Sequence, residues 1–241
     1  MLENKKIGII TQARVGSSRL PAKIFKEING KSLLQYHIDR LKLSCYSENL
    51  FIATSDLARD DSVEKFCDKN DLNCFRGSET DVLDRYYQCA LQYKLDIIVR
   101  VTSDCPLIDP YLLDECVDAF LKQGVEYLGT THPSKEPRYP DGADVEVFTF
   151  KALENAWKNA VNYGEEKYKG NEREHVTTYI YENFKNASFP ADKDFSSYKY
   201  SVDTVEDFLL ISNIVNELTK RNQFGEYKEV IEIINQHNKL N

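Results

Sequence analysis

The 241-residue chain lacks the features that mark membrane proteins, secreted proteins and nucleic-acid-binding proteins. No stretch approaches the roughly 20 apolar residues that are needed to span a bilayer. The first residues, MLENKKIGIITQAR, do not have a signal-peptide layout, because the apolar run is short and leads directly into polar residues. Basic side chains are outnumbered by acidic ones, 31 against 39, which gives a net charge of -8. Since nucleic acids and anionic membranes are polyanions, this balance predicts a cytoplasmic protein with no nucleic-acid partner and no membrane insertion.

The chain also lacks the common motifs of zinc, redox and nucleotide sites. Six cysteines are present, but no two of them form a CxxC pair, and the four histidines contain no HExxH pattern. Zinc ribbons, thioredoxin-like sites and proteases of the HExxH type are therefore excluded, and we expect reduced, mostly buried thiols. The motifs GxxxxGK[ST] and GxGxxG are absent too, which excludes a Walker A loop and a dinucleotide-binding loop.

What the sequence does contain is an alternation of strand and helix patterns. Hydrophobic residues make up 41% of the chain and charged residues 29%, which is typical of a globular protein. Short apolar runs at 6–11, 50–54 and 96–101 predict buried strands, and stretches with helical spacing lie between them. Such alternation predicts a Rossmann-like three-layer α/β/α fold, in which helices cover both faces of a mostly parallel sheet.

The second half of the chain is less regular, but no linker, internal repeat or low-complexity tract divides it. We therefore expect a single domain over residues 1–241, with a smaller β-containing excursion at about 130–200. Within this excursion, residues 173–182 predict a helix and residues 198–202 predict a strand.

The most informative segment is 11–26, TQARVGSSRLPAKIFK, which follows the first predicted strand. Six basic residues and no acidic one lie between residues 5 and 26, so the local charge is opposite to that of the whole chain. Because ligands of open α/β sheets bind beyond the carboxyl ends of the strands, this segment is in the position of a binding loop.

The residue types of this loop suit phosphate groups. Arg14 and Arg19 offer planar forks of donors and Lys23 a point charge, while Gly16 allows a close approach of the backbone and Ser17 adds a hydroxyl. The segment predicts a polyphosphate-binding loop. A solvated basic surface loop is the alternative that charge alone leaves open.

Two aspartates follow predicted strands, as ligand-facing carboxylates do in α/β sheets. Asp104 comes just after the strand at 96–101, and Asp203 follows the strand at 198–202. Position alone leaves alternatives, because aspartate is common in loops and as the cap of a helix. Asp203 can cap a helix that begins near residue 204, with Glu206 completing a capping-box-like arrangement.

Several segments together resemble a known family. The segment QARVGSSRLPAK is similar to the N-terminal signature of the cytidylyltransferases that make CMP-activated sugars, the CMP-sialic acid and CMP-Kdo synthetases. The resemblance is closest to the spore-coat polysaccharide biosynthesis (SpsF) branch. Five further segments agree in order and extend the resemblance to residue 208: RGSETDVLDRYY, IVRVTSDCPLIDP, YPDGADVEVF, EREHVT and VDTVEDF.

The resemblance implies a GT-A-like nucleotide-sugar fold and a set of nucleotide-binding residues. Arg14, Arg19 and Lys23 would hold the triphosphate of CTP, and Asp104 and Asp203 would hold a catalytic Mg²⁺. The remaining nucleotide contacts would come from Ala13, Gly16, Ser17, Asp104 and Arg76, the last of which resembles an arginine that contacts nucleotide in related enzymes. On the helix after it, Arg85 is either a nucleotide contact or a surface ion-pair partner of Asp81 or Asp84.

The resemblance also implies which side chains face the acceptor. Asp141 lies in the loop at 131–142, and Asp144 and Glu146 follow it. A second polar group consists of Glu172, Arg173, Glu174 and His175. Carboxylates can accept hydrogen bonds from sugar hydroxyls, Arg173 can hold an acceptor carboxylate or phosphate, and His175 can be a general base. The alternative for the second group is a helix N-terminus that favours acids, with a half-buried histidine.

The expected function is Mg²⁺-dependent transfer of CMP from CTP to a sugar acceptor, an acidic sugar of surface polysaccharide or glycan synthesis, with release of pyrophosphate. A homodimer formed through the excursion is implied by analogy with relatives. Three alternatives remain at this stage: a phosphorylated or phosphonate acceptor, a GT-A-like glycosyltransferase, and a binding module without catalytic activity.

Overall fold

The computed structural model describes residues 5–133, 137–160 and 172–240. Within these residues the strands are β1 (Ile7–Gln12), β2 (Glu27–Ile28), β3 (Lys31–Ser32), β4 (Leu50–Ser55), β5 (Asn73–Gly77), β6 (Ile97–Thr102), β7 (Tyr127–Gly129), β8 (Glu146–Thr149) and β9 (Asn186–Ser188). The α-helices are α1 (Leu33–Leu41), α2 (Asp61–Lys69), α3 (Val82–Gln92), α4 (Pro110–Gln123), α5 (Phe150–Asn159), α6 (Glu172–His175), α7 (Thr178–Asn183), α8 (Val205–Arg221) and α9 (Tyr227–Leu240).

Seven of these strands form one sheet in the order β5-β4-β1-β6-β8-β7-β9. Strand β1 lies between β4 and β6 and pairs in parallel with both, and β8 pairs antiparallel with β6 and β7. The apolar sequence of β1 follows from this position, because a central strand is covered on both faces and its Ile9 and Ile10 are fully buried. The predicted mostly parallel α/β sheet is confirmed.

Two hydrophobic cores hold the helices against the two faces of the sheet. On one face, Val99 of β6 packs in a core that includes residues of α1, α4, α8 and α9. On the other face, Ile98 packs in a core that includes residues of α3, α5 and α7. Alternate residues of one strand therefore serve opposite layers, as the pleat of a strand requires. Among the described residues, no helix has both the length and the apolar character to cross a membrane.

Helix caps explain two of the acids near the carboxyl end of the sheet. Asp109 caps α4 by accepting hydrogen bonds from the first backbone N–H groups of that helix, and Pro110 is its first residue. Thr204 caps α8, with Asp207 completing the capping box. The alternative in which Asp203 caps this helix together with Glu206 is therefore wrong, and the Asp203 side chain points elsewhere.

Three local predictions need correction. Residues 198–202 form no strand of the sheet; the segment is held by backbone hydrogen bonds such as the one from Tyr200 N to Asp141 O (2.8 Å). The helix predicted at 173–182 is divided into α6 and α7, because Val176 has a positive φ of 63°. Strand β9 and the hairpin β2–β3 were not predicted, although the Asn29-Gly30 turn of the hairpin is a recognised signal for one.

Candidate nucleotide site

A cavity of about 490 Å³ opens beyond the carboxyl ends of β1 and β6. Strand order places it where the chain turns from β1 into the basic loop and from β6 towards α4, which is where ligands bind in open α/β sheets. Most of its lining groups are polar or charged. The lining residues are Gln12, Ala13, Arg14, Gly16, Ser17, Ser18, Arg19, Lys23, Ile24, Val82, Arg85, Arg100, Thr102, Ser103, Asp104, Glu174, His175 and Asp203.

The basic loop is anchored at several points rather than left as a solvated surface loop. Leu20 and Ile24 are buried in the core beneath it. The Val15 N–H donates to Asp60 Oδ1 (2.7 Å), and buried Asp60 also accepts a hydrogen bond from Ser55. A Cβ atom at Gly16 would lie 3.2 Å from the Arg59 guanidinium, so the loop passes close to that side chain. The apolar residues of the loop therefore fix the positions of the basic residues around the cavity.

Lys23 is the point on which the two predicted metal ligands converge. Its Nζ lies 3.0 Å from Asp203 Oδ1 and 3.4 Å from Asp104 Oδ2, and it donates to the Val202 carbonyl at 2.6 Å. The Val202 N–H donates in turn to the Asp104 carbonyl (2.8 Å), which ties the two distant chain segments together. The structure therefore brings Asp104, Asp203 and Lys23 into one cluster.

The charges around Asp203 keep this carboxylate ionised. Partial burial acts to raise its pKa, but the hydrogen bond and charge of Lys23, with the charges of Lys199 and Arg19, outweigh this effect and hold the pKa below its ordinary value. The Arg19 guanidinium contacts Asp203 Oδ1 at 3.0 Å while two thirds of its own side chain stays exposed. An ionised carboxylate is the form that can bind a cation.

The donor set at this cluster fits Mg²⁺. Two carboxylates of the chain supply oxygen ligands, and Mg²⁺ is commonly held by one or two carboxylates together with substrate phosphates and water. Within the described residues no group of three or more His, Cys, Asp and Glu side chains is placed to hold a metal ion. Asp104 and Asp203 are thus the two side chains at this cluster that would hold such an ion.

A buried histidine supports the loop that carries Asp104. His37 of α1 donates from Nδ1 to the Cys105 carbonyl (2.8 Å), and its Nε2 accepts a hydrogen bond from the Thr11 hydroxyl (2.9 Å). The carbonyl fixes the direction of these bonds, since it can only accept. His37 is fully buried, and burial lowers its pKa to about 4. The imidazole is therefore neutral in the folded protein near neutral pH.

The lowered pKa of His37 predicts that this residue destabilises the folded protein in mild acid. In the unfolded chain His37 takes up a proton below its ordinary pKa of about 6.5, whereas the folded protein excludes that proton until about pH 4. The free energy of unfolding should therefore fall by about 2 kcal/mol from this group between pH 7 and pH 5. Urea unfolding in EDTA at the two pH values, for the wild type and for His37→Gln, measures this contribution as the difference between the two proteins, because other groups such as Asp144 titrate in the same range. The change in the free energy of unfolding should differ by about 2 kcal/mol between the two proteins, and an equal change in both would contradict the assignment.

The first turn of α3 forms a second wall of the cavity. Val82 and Arg85 line it, and Arg85 is only 2% exposed, so the alternative in which Arg85 forms a surface ion pair with Asp81 or Asp84 is wrong. Asp81 instead caps α3, accepting from the Asp84 N–H at 2.9 Å.

Arg76 does not line this cavity. It lies on β5, where its guanidinium contacts Glu64 Oε2 and Asp61 Oδ1, each at 2.8 Å. It also donates to the Ser55 and Leu57 carbonyls, at 3.1 and 2.9 Å. The structure therefore does not bring Arg76 together with the other predicted nucleotide contacts. The side chain ties the ends of β4 and β5 to α2.

A third wall is formed by α6, which contributes only part of the predicted acceptor set. Glu174 and His175 line the cavity. Arg173 does not; its Nε and Nη2 contact Asp81 Oδ2 at 2.7 Å, and its Nη1 donates to the Trp157 carbonyl (3.0 Å). Glu172 is buried and does not line the cavity. Arg173 thus fastens α6 to the cap of α3.

The predicted acids of the 139–148 segment lie beside the cavity rather than in its lining. Asp141 is exposed, and its backbone pairs with Lys199. Asp144 accepts a hydrogen bond from the Gly142 N–H (2.9 Å), and burial raises its pKa to about 6, helped by neighbouring carboxylates and opposed by that hydrogen bond. Asp144 is therefore partly protonated near pH 6.

The Glu146 carboxylate contacts three side chains, those of Arg100, Tyr127 and Thr177. It is buried, forms an ion pair with Arg100, and its Oε1 accepts from the Tyr127 hydroxyl (2.7 Å) and from Thr177 Oγ1 (2.6 Å). Thr177 lies just beyond α6, so this network fixes α6 over the sheet. Both carboxylate oxygens are thereby occupied, and Glu146 does not face the cavity as an acceptor-binding residue.

Several lining residues were missed by the sequence analysis. Gln12, Thr102 and Ser103 gave no signal, because single polar residues at strand ends are common. Arg100 did give one: a charged residue in the apolar run DIIVRV must have a partner or a ligand when the strand is buried. Its partner is Glu146, and the rest of its side chain contributes to the cavity wall.

The sheet, and a cavity lined by several arginines and a lysine beyond its carboxyl edge, fit the class of α/β proteins that bind nucleotides. The sequence profile of the family described as Cytidylyltransferase matches residues 8–240, and the chain belongs to that family. The resemblance inferred from the motifs is thereby confirmed. The chain is a CTP-dependent nucleotidyltransferase, so the glycosyltransferase and non-catalytic alternatives are not adopted.

Individual relatives agree with this assignment. The chain is 40% identical over 211 residues to an uncharacterised protein of Methanocaldococcus jannaschii, covering 86% of this chain and 81% of that protein. It is 32% identical to the spore coat polysaccharide biosynthesis protein SpsF of Bacillus subtilis, covering 95% and 93% of the two chains. Among solved structures, a cytidylyltransferase from Leptospira borgpetersenii superposes with a TM-score of 0.86 at 35% identity, covering 98% of this chain and 96% of the other.

Proposed function

We propose that the protein transfers CMP from CTP to a sugar with the help of Mg²⁺, releasing pyrophosphate and supplying a CMP-activated sugar for glycan synthesis. The observation that carries the proposal is that Asp104 and Asp203 both contact the ammonium group of Lys23, which belongs to the basic loop. Cations for phosphate oxygens and carboxylates for a divalent ion are thereby adjacent. The name of the Bacillus subtilis relative, a polysaccharide biosynthesis protein, supports a sugar as the acceptor.

In this reaction an acceptor oxygen attacks the α-phosphorus of CTP, and the bond to the pyrophosphate leaving group breaks. Negative charge accumulates on the phosphoryl and leaving-group oxygens, so catalysis rests on positioning and electrostatics. Arg14, Arg19 and Lys23 bind those oxygens from one side. Asp104 and Asp203 would hold Mg²⁺, which when bound neutralises phosphate oxygens and orients the chain of phosphates.

The acceptor is proposed to enter between α6 and the end of β6. This wall presents Arg100, Thr102 and His175, which can bind hydroxyl and carboxylate groups of an acidic sugar. The similarity of the motifs to those of CMP-sialic acid and CMP-Kdo synthetases also favours an acidic sugar. His175 would accept the proton of an attacking hydroxyl, a role that an ionised phosphate acceptor would not need.

The decisive experiment is a screen for pyrophosphate release. Each of the four nucleoside triphosphates is combined with a panel of sugar acids, neutral sugars and sugar phosphates, with Mg²⁺ and with EDTA. We expect release only from CTP, only with Mg²⁺ and only with acidic sugars. Release with a sugar phosphate alone would change the acceptor class, and release in EDTA would remove the metal from the proposal.

His175 can be tested separately once an acceptor is known. If His175 takes the proton from a sugar hydroxyl, then His175→Ala should lower kcat by about 100-fold and flatten the acidic limb of the pH profile of kcat. The measurement is kcat against pH for the wild type and the variant at saturating CTP. A lower kcat with an unaltered profile would show that His175 only shapes the cavity wall.

A homodimer remains a proposal, carried by analogy with relatives and assigned to the 130–200 segment. Light scattering after size-exclusion chromatography measures it directly, and a mass of about 27.9 kDa would identify a monomer.

A further inference from the structure

Glu79 binds two arginines at the carboxyl edge of the sheet through one carboxylate oxygen. Its Oε1 lies 3.2 Å from Arg14 Nη1 and 2.5 Å from Arg59 Nη2. Within the described residues, no other ion pair of Arg14 is found. Arg14 lines the cavity, whereas Glu79 does not. The carboxylate is therefore placed to act on a ligand through Arg14 rather than by direct contact.

These three residues follow three neighbouring strands. Arg14 comes after β1, Arg59 after β4 and Glu79 after β5, and these strands are adjacent and parallel in the sheet. The carboxyl ends of parallel strands share one edge, so residues far apart in the chain meet there. Gly16 makes room for this meeting, because a Cβ atom there would lie 3.2 Å from the Arg59 guanidinium. Arg59 therefore passes close to the basic loop on its way to Glu79.

The negative charge of Glu79 offsets repulsion among the arginines around it. Partial burial acts to raise the pKa of Glu79, but its polar neighbours, among them Arg59 and Arg14, outweigh this effect and hold the pKa below its ordinary value. Burial lowers the pKa of the Arg85 guanidinium, and the nearby charge of Arg14 lowers it further. Without an anion at this point, Arg14 would be repelled by both Arg59 and Arg85. Because 44% of the Arg14 side chain is exposed, it would be free to turn towards solvent.

Glu79 uses only one nitrogen of the Arg14 guanidinium. The contact is made by Nη1, while Nε and Nη2 donate to no group within the part of the chain that the structure describes. These two nitrogens form one edge of the guanidinium and can donate two parallel hydrogen bonds to a phosphate. The ion pair thus restrains the side chain and leaves its second edge available.

We propose that Glu79 is a positioning residue for polyphosphate binding, because it holds Arg14 so that the Nε–Nη2 edge meets the phosphate oxygens of the nucleotide. Arg59 shares the same carboxylate oxygen and keeps Glu79 in place. The inference rests on the proposed function only in taking a polyphosphate as the ligand. It does not depend on the acceptor or on the base of the nucleotide.

Calorimetric titration of the full chain with inorganic tripolyphosphate in Mg²⁺ tests the proposal. Glu79→Gln keeps the shape of the side chain and removes its charge. Removal of a negative charge near an anion site would by itself strengthen tripolyphosphate binding. Loss of positioning has the opposite sign, and we expect the variant to bind tripolyphosphate about 5- to 10-fold more weakly.

A double-mutant cycle with Arg14 separates positioning from a general structural role. Arg14→Met alone should weaken tripolyphosphate binding by about 10- to 100-fold, and adding Glu79→Gln should weaken it no further. Glu64→Gln is the matched control, because Glu64 loses the same charge and also pairs with an arginine, Arg76 (2.8 Å), outside the cavity. Its affinity for tripolyphosphate should equal that of the wild type.

A second variant keeps the test decisive if Glu79→Gln does not fold. Glu79→Asp retains the charge but is one methylene shorter, so it should also bind tripolyphosphate more weakly. Unchanged or tighter binding in Glu79→Gln, wild-type affinity in Glu79→Asp, or an equal further loss in the Arg14→Met background would overturn the inference. The expected losses, without pyrophosphate release from CTP with any sugar, would defeat the proposed function and leave this inference standing.

Discussion

Asp203→Asn should abolish nucleotidyl transfer while leaving the binding of metal-free CTP intact or stronger. The side chain lies 3.0 Å from both Lys23 Nζ and the Arg19 guanidinium, so the substitution removes a negative charge beside the proposed phosphate site. Loss of the carboxylate removes a ligand that would hold Mg²⁺, and the expected fall in kcat is at least about 1,000-fold. Pyrophosphate release and calorimetric binding of CTP in EDTA measure the two halves of this prediction.

A neighbouring carboxylate provides the matched control. Asp207 lies one turn further on, where it accepts hydrogen bonds from the Asp203 and Thr204 N–H groups (both 2.9 Å) and completes the cap of α8. Asp207→Asn should lower the free energy of unfolding by about 1 kcal/mol and retain most of the activity. Asp203→Asn should leave the free energy of unfolding nearly unchanged and abolish the activity. Near-normal turnover by Asp203→Asn would show that Asp203 is not a metal ligand.

Asp104→Asn should behave as Asp203→Asn does, because both carboxylates contact the same ammonium. Its carboxylate lies 3.4 Å from Lys23 Nζ, and its loop is supported from below by His37. The two variants together distinguish a shared ion from a single electrostatic contact. Combining them should cost little more than either alone, since the first substitution already removes the ion.

The layer architecture was predictable because hydrophobic periodicity determines it. Strands such as β1 and β6 are mostly apolar, as parallel strands covered on both faces are. Residues 198–202 failed the same test for a physical reason. The alternating apolar pattern there buries Tyr200 and Val202 against the core, yet the backbone pairs with a loop instead of with a strand. An alternating pattern of apolar side chains indicates which residues are buried, but a buried segment need not belong to a sheet.

The residues of the site likewise include some that the sequence could predict and some that it could not. The basic loop and its two aspartates could be predicted because each follows a strand end, and the carboxyl ends of parallel strands share one edge. Arg76 and Arg85 show the limit of such reasoning. Arg76 lies on β5 and Arg85 on α3, nine residues apart in the same motif, but tertiary contacts direct Arg76 to Glu64 and Arg85 into the cavity wall. No local pattern distinguishes them, because the difference depends on how β5, α2 and α3 pack against one another.

The acceptor side was the hardest to predict, since polar motifs there have two uses. Arg173 and Glu146 lie in motifs shared with the family, but Arg173 binds the cap of α3, and Glu146 binds Arg100 and Thr177. These residues fasten α6 to the sheet. The same contacts hold His175 at the cavity wall, so part of a functional motif can act by positioning its neighbours rather than by touching substrate.

Lys23→Met should separate phosphate binding from the rest of the site. Lys23 Nζ lies between two carboxylates and is the least exposed cation of the basic loop that contacts them, with 14% of its side chain accessible. In the variant, the carboxylates of Asp104 and Asp203 face the phosphates without an intervening charge. We expect the affinities for CTP and for pyrophosphate to fall together by about 10- to 100-fold, because the ammonium that binds the phosphates is lost and the two carboxylates beside them are left uncompensated.

Lys26→Met is the control for this substitution, because Lys26 belongs to the same loop but stacks over the Phe208 ring instead of lining the cavity. The two variants have the same net charge, so an effect of long-range charge alone would weaken CTP binding equally in both. Calorimetric titration with CTP and with pyrophosphate distinguishes the cases. Unchanged pyrophosphate affinity in Lys23→Met would mean that Lys23 only bridges Asp104 and Asp203. Arg14 and Arg19 would then be the cations that bind the phosphates.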